Sequence, residues 1–405
     1  MGPESRLEWP MSLDVPALVA NGWSPIPFRE FIVKVHSRCD LSCDYCYLYE
    51  MADQSWRDQP RRMATEIAEA TASRIGEHAR AHGMPNIVMV LHGGEPLLAG
   101  PELITHLVTA TREAAGPGVR LDVRVQTNAV GLDDDYLELF SELDVHVGVS
   151  LDGAADAHDR HRRFASGRGS YAAVSAGLRR MRQPQFRHLF NGLLCTIDLR
   201  NDPVATYEAL AAFEPPRVDF LLPHGTWEAP PPGRSPDAAD SPYGAWLIAV
   251  FDRWYFAPRT GIRLFEELIQ LIVNETSSGE TVGLAPARMV VIETDGSIEQ
   301  VDSLKAAYHG AAMTGLHVTR DSLDAALLLP GVVARQLGVM ALAAQCRVCP
   351  IHRVCGGGHY PHRYRRGSGF ANPSVYCPDL MHLIGHIRDV VRADISARLR
   401  RRTAT

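Results

Sequence analysis

The chain has 405 residues, of which 46% are hydrophobic, and carries a net charge of −6. That length allows one large domain with a buried core and a smaller extension. The acidic balance argues against partners that need a basic face, such as nucleic acid or an anionic membrane. The first residues lack the apolar segment of a secretion signal, and no stretch approaches the roughly 20 apolar residues that cross a bilayer. We therefore expect a cytoplasmic protein.

Short apolar segments alternate with helical patterns between residues 31 and 260. The predicted strands cover residues 31–36, 86–92, 119–127, 145–151, 189–197 and 217–223. The predicted helices between them cover residues 64–82, 101–115, 133–143, 170–183 and 203–212. This alternation is typical of βαβ units around a parallel sheet. Six units predict an α/β fold with a partial (β/α)6 barrel of the TIM type, and an open doubly wound sheet is the alternative.

Polar residues recur at even spacing within three of the predicted strands. They are Lys34 and His36, Arg124 and Gln126, and His146 and Ser150. Residues an even number of positions apart project from the same face of a strand. We therefore expect a polar lumen that suits a buried polar ligand, with solvent-facing positions as the alternative.

The second half of the chain changes in pattern. It comprises a Pro-rich loop at 228–242, helical patterns at 243–256 and 261–275, a hairpin at 288–302 that turns at Asp295-Gly296, and a closing helix at 378–401. We divide the chain into an N-terminal extension (1–27), the barrel (28–227), a loop with bridging helices (228–285) and a C-terminal domain (286–405).

Seven of the eight cysteines form two groups, and Cys195 lies alone in a predicted strand, where it is interpreted as a small core residue. Grouped cysteines in a reducing compartment indicate metal sites rather than disulfides. The first group, Cys39, Cys43 and Cys46, can bind three irons of a [4Fe–4S] cluster and leave the fourth iron open. A zinc site with His36 as fourth ligand is the alternative.

The second group lies near the end of the chain. It consists of Cys346, Cys349, Cys355 and Cys377. Four thiolates fit a fully ligated [4Fe–4S] cluster and a structural zinc ion equally well.

The CX3CX2C spacing of the first group, with Tyr45 before its last cysteine, is similar to the signature of the radical S-adenosylmethionine (SAM) superfamily. In that superfamily the open iron binds the amino and carboxylate groups of S-adenosylmethionine, and the aromatic residue packs near the adenine. Segments after the next strands resemble further cofactor contacts of the family. They are Gly93, Gly94 and Glu95, then Gln126, Thr127 and Asn128, then Ser150 and Asp152, and finally Arg162. The carboxyl ends of barrel strands form one face, so we expect these residues to surround one site.

The second cysteine group resembles the SPASM extension of radical enzymes that modify peptides. Relatives usually carry further cysteines at the positions that Val301 and His359 occupy here. The resemblance therefore implies a single auxiliary [4Fe–4S] cluster, ligated by all four cysteines and suited to electron transfer.

Several phrases, including Asp53-Gln-Ser-Trp56 and Asn372-Pro-Ser-Val-Tyr-Cys377, resemble FxsB-like maturases, which form three-residue cyclophanes in ribosomally synthesised precursor peptides. The resemblance implies that a 5′-deoxyadenosyl radical removes hydrogen from a β-carbon, which then joins an aromatic ring two residues away. The ring must also lose a proton and an electron, and the auxiliary cluster can take the electron. The candidate bases are Asp219, His224, Asp302, His359 and His362, and water is the alternative.

The same resemblance implies partners. They are a precursor peptide and a reducing protein such as flavodoxin or ferredoxin, with the peptide leader recognised by the barrel and its extension or by a separate protein. Two other functions stay open: another radical SAM maturase, which forms formylglycine in sulfatases or thioethers in peptides, and a non-catalytic zinc-binding protein.

Overall fold

A computed structural model describes residues 8–235, 239–274 and 279–403. The described residues contain one sheet whose strands are β1 Glu30–His36, β2 Asn86–Gly93, β3 Arg120–Thr127, β4 Val145–Ser150, β5 Phe190–Thr196, β6 Arg217–Leu221, β7 Gly261–Ile262, β8 Met289–Ile292, β9 Ser297–Glu299 and β10 Met313–His317. Their spatial order is β10-β9-β8-β1-β2-β3-β4-β5-β6-β7. The six predicted barrel strands are confirmed as β1 to β6. Residues 1–7 of the predicted N-terminal extension lie outside the described residues.

The sheet winds in one direction. Strands β1 to β7 are parallel and neighbour each other in chain order, whereas a doubly wound sheet reverses its strand order at a switch point. β10 and β7 lie at the two edges of the described sheet and do not pair with each other. The winding is that of the predicted partial barrel, open at one side.

Helices cover the outer face of this sheet. Helix α1 Val15–Ala20, which was not predicted, precedes the barrel. The helices of the barrel are α2 Thr65–Ala81, α3 Pro101–Ala115, α4 Asp134–Glu142, α5 Ala155–His161, α6 Tyr171–Met181 and α7 Pro203–Ala211. Those after it are α8 Pro242–Tyr255, α9 Arg263–Asn274, α10 Leu323–Leu327, α11 Pro330–Ala334, α12 Ala344–Arg347, α13 His352–Cys355 and α14 Cys377–Thr403. The predicted barrel helices are confirmed to within two residues, but the short α5 was not predicted. None of the described helices is long and apolar enough to cross a membrane.

Alternation along the strands separates the core from a polar inner face. In β3, Leu121, Val123 and Val125 are buried against the helices, whereas Arg124 and Gln126 lie on the opposite face. The Gln126 amide donates to Ser150 Oγ at 3.0 Å. The predicted polar lumen is confirmed for Gln126 and Ser150, which line a cavity. Arg124 and His146 do not line it and are 39% and 33% exposed, so the solvent-facing alternative holds for them. The interpretation of Cys195 as a core residue is also confirmed, since it is 1% exposed.

The predicted hairpin is confirmed as the antiparallel pair β8 and β9, with Gly296 in its turn at φ 94°. Strand β8 also pairs in parallel with β1, from Glu30 opposite Met289 to Val33 opposite Ile292. The C-terminal part of the chain thereby continues the barrel sheet on the side of its first strand.

Candidate active site

The three cysteines of the first group lie on the loop after β1 and face one cavity of about 1160 Å³. None of them forms a disulfide. The loop turns tightly, because Cys46 N–H donates to the Cys43 carbonyl at 3.1 Å. The side-chain amide of Asn128 donates to Asp40 Oδ1 at 2.7 Å and lies 3.6 Å from Cys39 Sγ. Three free thiols on one cavity wall are the donor set of a [4Fe–4S] cluster with an open iron.

His36, the fourth ligand of the zinc alternative, is directed elsewhere. Its Nδ1 lies 2.9 Å from the Arg38 carbonyl oxygen, and the residue is not among those that line the cavity. The arrangement therefore favours the three-thiol site over a zinc site with four ligands.

Gly93 and Gly94 bring the cysteine loop against the end of β2. A Cβ on Gly93, whose φ is 148°, would lie 2.1 Å from the His36 carbonyl oxygen. A Cβ on Gly94 would lie 2.4 Å from the Arg38 carbonyl oxygen. The glycines are thus required by the backbone of the loop itself, which the sequence did not reveal. Both also line the cavity, so their contact with a cofactor stays a prediction.

Glu95 is buried and held by three hydrogen bonds. Its Oε1 accepts from Leu97 N–H at 3.0 Å and from Thr127 Oγ1 at 2.7 Å, and its Oε2 accepts from Asn128 N–H at 2.7 Å. Burial raises the pKa of this carboxyl to about 7, against the effect of these donors. A carboxylate fixed in this way on a cavity wall can accept a hydrogen bond from an ammonium group.

Tyr45, Asp152 and Arg162 form a polar chain on the same wall. The Tyr45 hydroxyl donates to Asp152 Oδ2 and accepts from Arg162 Nη1 at 3.0 Å. Thr196 N–H donates to Asp152 Oδ1 at 2.9 Å, and burial raises the pKa of Asp152 against the opposing effect of Arg162. The Nε of Arg162 is buried without a hydrogen-bond partner among the described residues. An unpartnered guanidinium donor in this cavity fits an anionic group on a bound molecule.

All five candidate bases line a second, smaller chamber. Its volume is about 280 Å³. The two cavities adjoin, because they share lining residues. The shared residues are Tyr47, His92, Leu221, Leu222 and His224.

The two carboxylates among the candidate bases are already ion-paired. Asp219 Oδ2 accepts from Arg263 Nε at 2.8 Å, and Asp302 Oδ1 lies 2.7 Å from Lys34 Nζ. Both carboxylates therefore already have a cationic partner within the protein.

The three histidines are neutral and incompletely hydrogen-bonded. Burial lowers the pKa of His224 to about 4 and lowers the pKa values of His359 and His362 well below the ordinary range. His224 Nδ1 and His362 Nε2 are buried without a hydrogen-bond partner in the described structure. These two nitrogens are therefore available to a bound group in the chamber.

A group of buried charges beneath the chamber was not predicted. It contains Lys34, Glu293, Glu299, Asp302 and Lys305, each no more than 5% exposed. Lys34 Nζ lies 2.8 Å from Glu293 Oε1, and Lys305 Nζ pairs with Glu293 and lies 2.8 Å from Glu299 Oε2. In the sequence this group is indicated only by Glu293 and Glu299, which flank the hairpin turn next to apolar strands. The pairing of β8 with β1 is what brings them to Lys34.

The second cysteine group lies where the extension meets α14. Its four thiols form no disulfide. Burial, and then the nearby Cys346 and Cys349, raise the pKa of the Cys377 thiol. Burial and Cys377 raise the pKa of Cys355 to about 12. Four neighbouring thiols can ligate a complete cluster or a zinc ion, because a bound cation offsets the burial of thiolates.

Glycines and an arginine shape the backbone around these cysteines. Gly356, Gly357 and Gly358 have φ values of 61°, 77° and 69°, which turn the chain immediately after Cys355. The Arg363 guanidinium donates to the Gly356 and Gly358 carbonyls, at 2.6 Å each through Nη2. This turn brings Cys355 towards Cys377 at the start of α14.

Comparison with known proteins gives the family of the segment that carries the first cysteine group. Residues 33–208 match the family model of the radical SAM superfamily. These residues form a radical SAM domain. They include the last four residues of β1, all of β2 to β5 and every predicted S-adenosylmethionine contact. The expectation of a [4Fe–4S] cluster and S-adenosylmethionine is confirmed at the level of the family. The three thiols are suited to the cluster, and Glu95 and Arg162 are suited to the charged groups of S-adenosylmethionine.

Two curated relatives match most of the chain. The serine-type anaerobic sulfatase-maturating enzyme of Klebsiella aerogenes is 25% identical over 356 residues, which cover 87% of this chain and 84% of that enzyme. The cysteine-type enzyme of Clostridium perfringens is 25% identical over 285 residues, which cover 68% of this chain and 74% of that enzyme.

Two solved structures are similar in fold. The structure of anSMEcpe with bound AdoMet and the Cp18Cys peptide has a TM-score of 0.77 at 20% identity and covers 90% of this chain and 99% of that chain. Streptococcus suis SuiB bound to its precursor peptide SuiA has a TM-score of 0.58 at 15% identity and covers 89% of this chain and 78% of that chain. Both alignments extend beyond the radical SAM domain into the C-terminal extension.

Proposed function

We propose that the chain is a peptide maturase that joins an aromatic ring to the β-carbon of a residue two positions away in a ribosomally synthesised precursor peptide. The observation that carries this proposal is the pair of adjoining cavities. The larger one, at about 1160 Å³, exceeds the roughly 300–1,000 Å³ of typical small-molecule pockets. It therefore has room for S-adenosylmethionine and for side chains of a peptide.

In this proposal Cys39, Cys43 and Cys46 hold the first cluster, and Cys346, Cys349, Cys355 and Cys377 hold the single auxiliary cluster. When bound, the first cluster with S-adenosylmethionine supplies a 5′-deoxyadenosyl radical that takes the β-hydrogen of the peptide, and the auxiliary cluster accepts the electron that ring closure releases. Atoms balance, because the peptide loses one hydrogen atom, one proton and one electron.

The S-adenosylmethionine contacts follow from the groups on the larger cavity. Glu95 accepts a hydrogen bond from the ammonium of the cofactor, because three donors already hold its carboxylate in place. Arg162 presents its unpartnered Nε to the carboxylate. The other polar groups of S-adenosylmethionine are oriented by the side chains of Gln126, Ser150, Tyr45 and Asp152. The wall of the cavity around them is formed by Gly93, Gly94, Thr127 and Asn128.

The proton of the ring passes to the smaller chamber. His224 borders both cavities, and its imidazole is neutral. Its ring lies 4.6 Å from the ring of Tyr47, which directly follows Cys46. The proposed proton acceptor is therefore the histidine group, in preference to the ion-paired Asp219 and Asp302.

The extension supports a cross-linking function over the sulfatase-maturing one. The SPASM resemblance implies cysteines at the positions of Val301 and His359. Both residues line the smaller chamber, and the described residues that line it include no cysteine for a second auxiliary cluster. Sulfatase maturation remains the second candidate, because the relatives named above share 25% identity with the chain.

Mass spectrometry separates these products. The anaerobically reconstituted enzyme is incubated with S-adenosylmethionine, a reductant and a small precursor peptide that contains an aromatic residue. We expect loss of two hydrogens, absence of fragment ions between the joined residues, and no reaction with a hydrazine reagent. A hydrazine-reactive aldehyde on serine or cysteine would instead establish the sulfatase-type reaction. Cys39→Ala must abolish either product, whereas the exposed-loop variant Gly118→Ala serves as the control.

A further inference from the structure

The smaller chamber holds three histidines that converge from two parts of the chain. His224 follows β6, whereas His359 and His362 belong to the extension. Their ring centroids lie 6.0 Å apart for His224 and His359, 5.8 Å for His224 and His362, and 5.0 Å for His359 and His362. One ring nitrogen of each histidine lies within 4.8 Å of those of the other two.

The protein itself leaves these nitrogens poorly satisfied. His224 Nδ1 and His362 Nε2 are buried and have no hydrogen-bond partner among the described residues. His359 Nε2 has only Ser303 Oγ, at 3.4 Å. Buried polar atoms in folded proteins are nearly always paired. Unpartnered imidazole nitrogens on three histidines whose ligand atoms lie within 4.8 Å of one another therefore point to a shared ligand.

The ligand must be a cation that accepts lone pairs. Neutral imidazoles are good ligands for zinc and similar divalent ions. Zinc–nitrogen bonds of about 2.0–2.1 Å place ligand nitrogens roughly 3.3 Å apart in a tetrahedron, so the present spacing needs only small side-chain rotations. Three histidines and an open fourth position are the ligand pattern of catalytic zinc sites.

We propose that His224, His359 and His362 bind one zinc-type divalent cation whose open fourth position faces the smaller chamber. A water molecule at that position loses its proton near neutral pH. The bound hydroxide then accepts the proton that leaves the peptide ring, in place of an imidazole. The binding site itself does not depend on the proposed product, and metal content tests it separately.

A second histidine pair provides a matched comparison. His78 Nδ1 and His82 Nε2 lie 2.5 Å and 2.9 Å from the same oxygen of Asp324, and His78 Nε2 lies 3.1 Å from the Phe28 carbonyl oxygen. These nitrogens already have partners within the protein. We therefore expect no cation there, and His82→Gln is the control variant.

The experiment is metal analysis and zinc K-edge X-ray absorption on the full chain, after iron–sulfur reconstitution, incubation with zinc alone and desalting. We expect one zinc per chain with a nitrogen and oxygen shell at about 2.0–2.1 Å. His359→Gln and His362→Gln should each weaken zinc binding at least 100-fold in a chelator competition. His82→Gln should leave it unchanged, and iron content should be unchanged in all three variants.

Three results would overturn the proposal. They are no retained zinc, a shell of sulfur alone at about 2.3 Å, which is the signature of cysteine ligation, or nitrogen-bound zinc that is lost in His82→Gln but kept in the other two variants. If a variant loses iron together with zinc, the wild-type spectrum decides instead. Scattering from three imidazole rings supports the site, and scattering from fewer than two refutes it.

Discussion

Replacing Lys34 by methionine tests the buried charge group beneath the smaller chamber. The Lys34 ammonium is almost fully buried and lies 2.8 Å from Glu293 and 2.7 Å from Asp302. Methionine keeps most of the volume of the side chain but removes its positive charge. The substitution therefore leaves two carboxylates in the interior with only Lys305 to neutralise them.

The expected cost follows from a count of charges. Burial, and then the neighbouring Glu293, raise the pKa of Glu299 above its ordinary value, so that Glu299 is protonated at neutral pH. The remaining two carboxylates then balance Lys34 and Lys305. Removing one partner from such a buried group costs about 3–5 kcal/mol, against a total stability of about 5–15 kcal/mol. In a chain of 405 residues this corresponds to a decrease in Tm of about 4–6 °C.

The assay is thermal unfolding of the reconstituted protein, followed by circular dichroism at neutral pH. Lys34→Met together with Glu293→Gln removes one charge of each sign, and we expect it to recover more than half of the lost Tm. Arg180→Met removes one partner of an exposed pair with Asp134 at 3.9 Å and should change Tm by no more than about 1 °C.

Two outcomes would refute this reasoning. A Tm for Lys34→Met within about 1 °C of wild type would mean that the interior carboxylates need no compensation. A double variant less stable than Lys34→Met would mean that the specific hydrogen bonds of Glu293, rather than the balance of charge, stabilise the group.

Three further predictions concern other parts of the molecule. Since the pKa of Glu299 is raised, the folded state binds more protons than the unfolded state above pH 4.5. The free energy of unfolding of Glu299→Gln relative to wild type should therefore rise by about 1.4 kcal/mol per pH unit from pH 5 up to the raised pKa. Denaturant titrations at several pH values measure this difference. Cys43→Ser should lose about half of the roughly eight irons and all S-adenosylmethionine cleavage. Cys355→Ser should lose the other half of the iron and still cleave S-adenosylmethionine. An iron assay and the measurement of 5′-deoxyadenosine check this, and equal behaviour of the two variants would contradict it. Gly94→Ala should displace the cysteine loop and lower iron content by about half, whereas Gly118, whose Cβ position is open, should tolerate alanine without loss.

The barrel and the wall of the larger cavity could be predicted from the sequence because their signals are local. The apolar segments that became β1 to β6 alternate with helix patterns along the chain. The residues after consecutive parallel strands must meet at one end of the sheet. Glu95, Asn128 and Asp152 could therefore be grouped before their contacts were known, and all three line one cavity.

The smaller chamber could be predicted only in part, because its walls come from distant segments. Asp219, His224, Asp302, His359 and His362 were identified one by one as candidate bases, but no local pattern indicated that they share a chamber. The contact between Lys34 and Glu293 spans 259 positions and depends on the parallel pairing of β8 with β1. Periodicity predicts that a strand exists, but it does not predict which edge of the sheet that strand will join.

The position of the extension links the two sites physically. Strand β1 carries the cysteine loop, and β8 covers its other edge along four residue pairs. Lys34, in the same strand, is neutralised by carboxylates that only the extension supplies. Without residues beyond 286, β1 would lose its pairing with β8, and Lys34, five positions before Cys39, would lose the carboxylates of Glu293 and Asp302. The predicted division at residue 286 therefore marks only a change in sequence pattern. The strand that carries the cysteine loop depends on residues from both sides of this division.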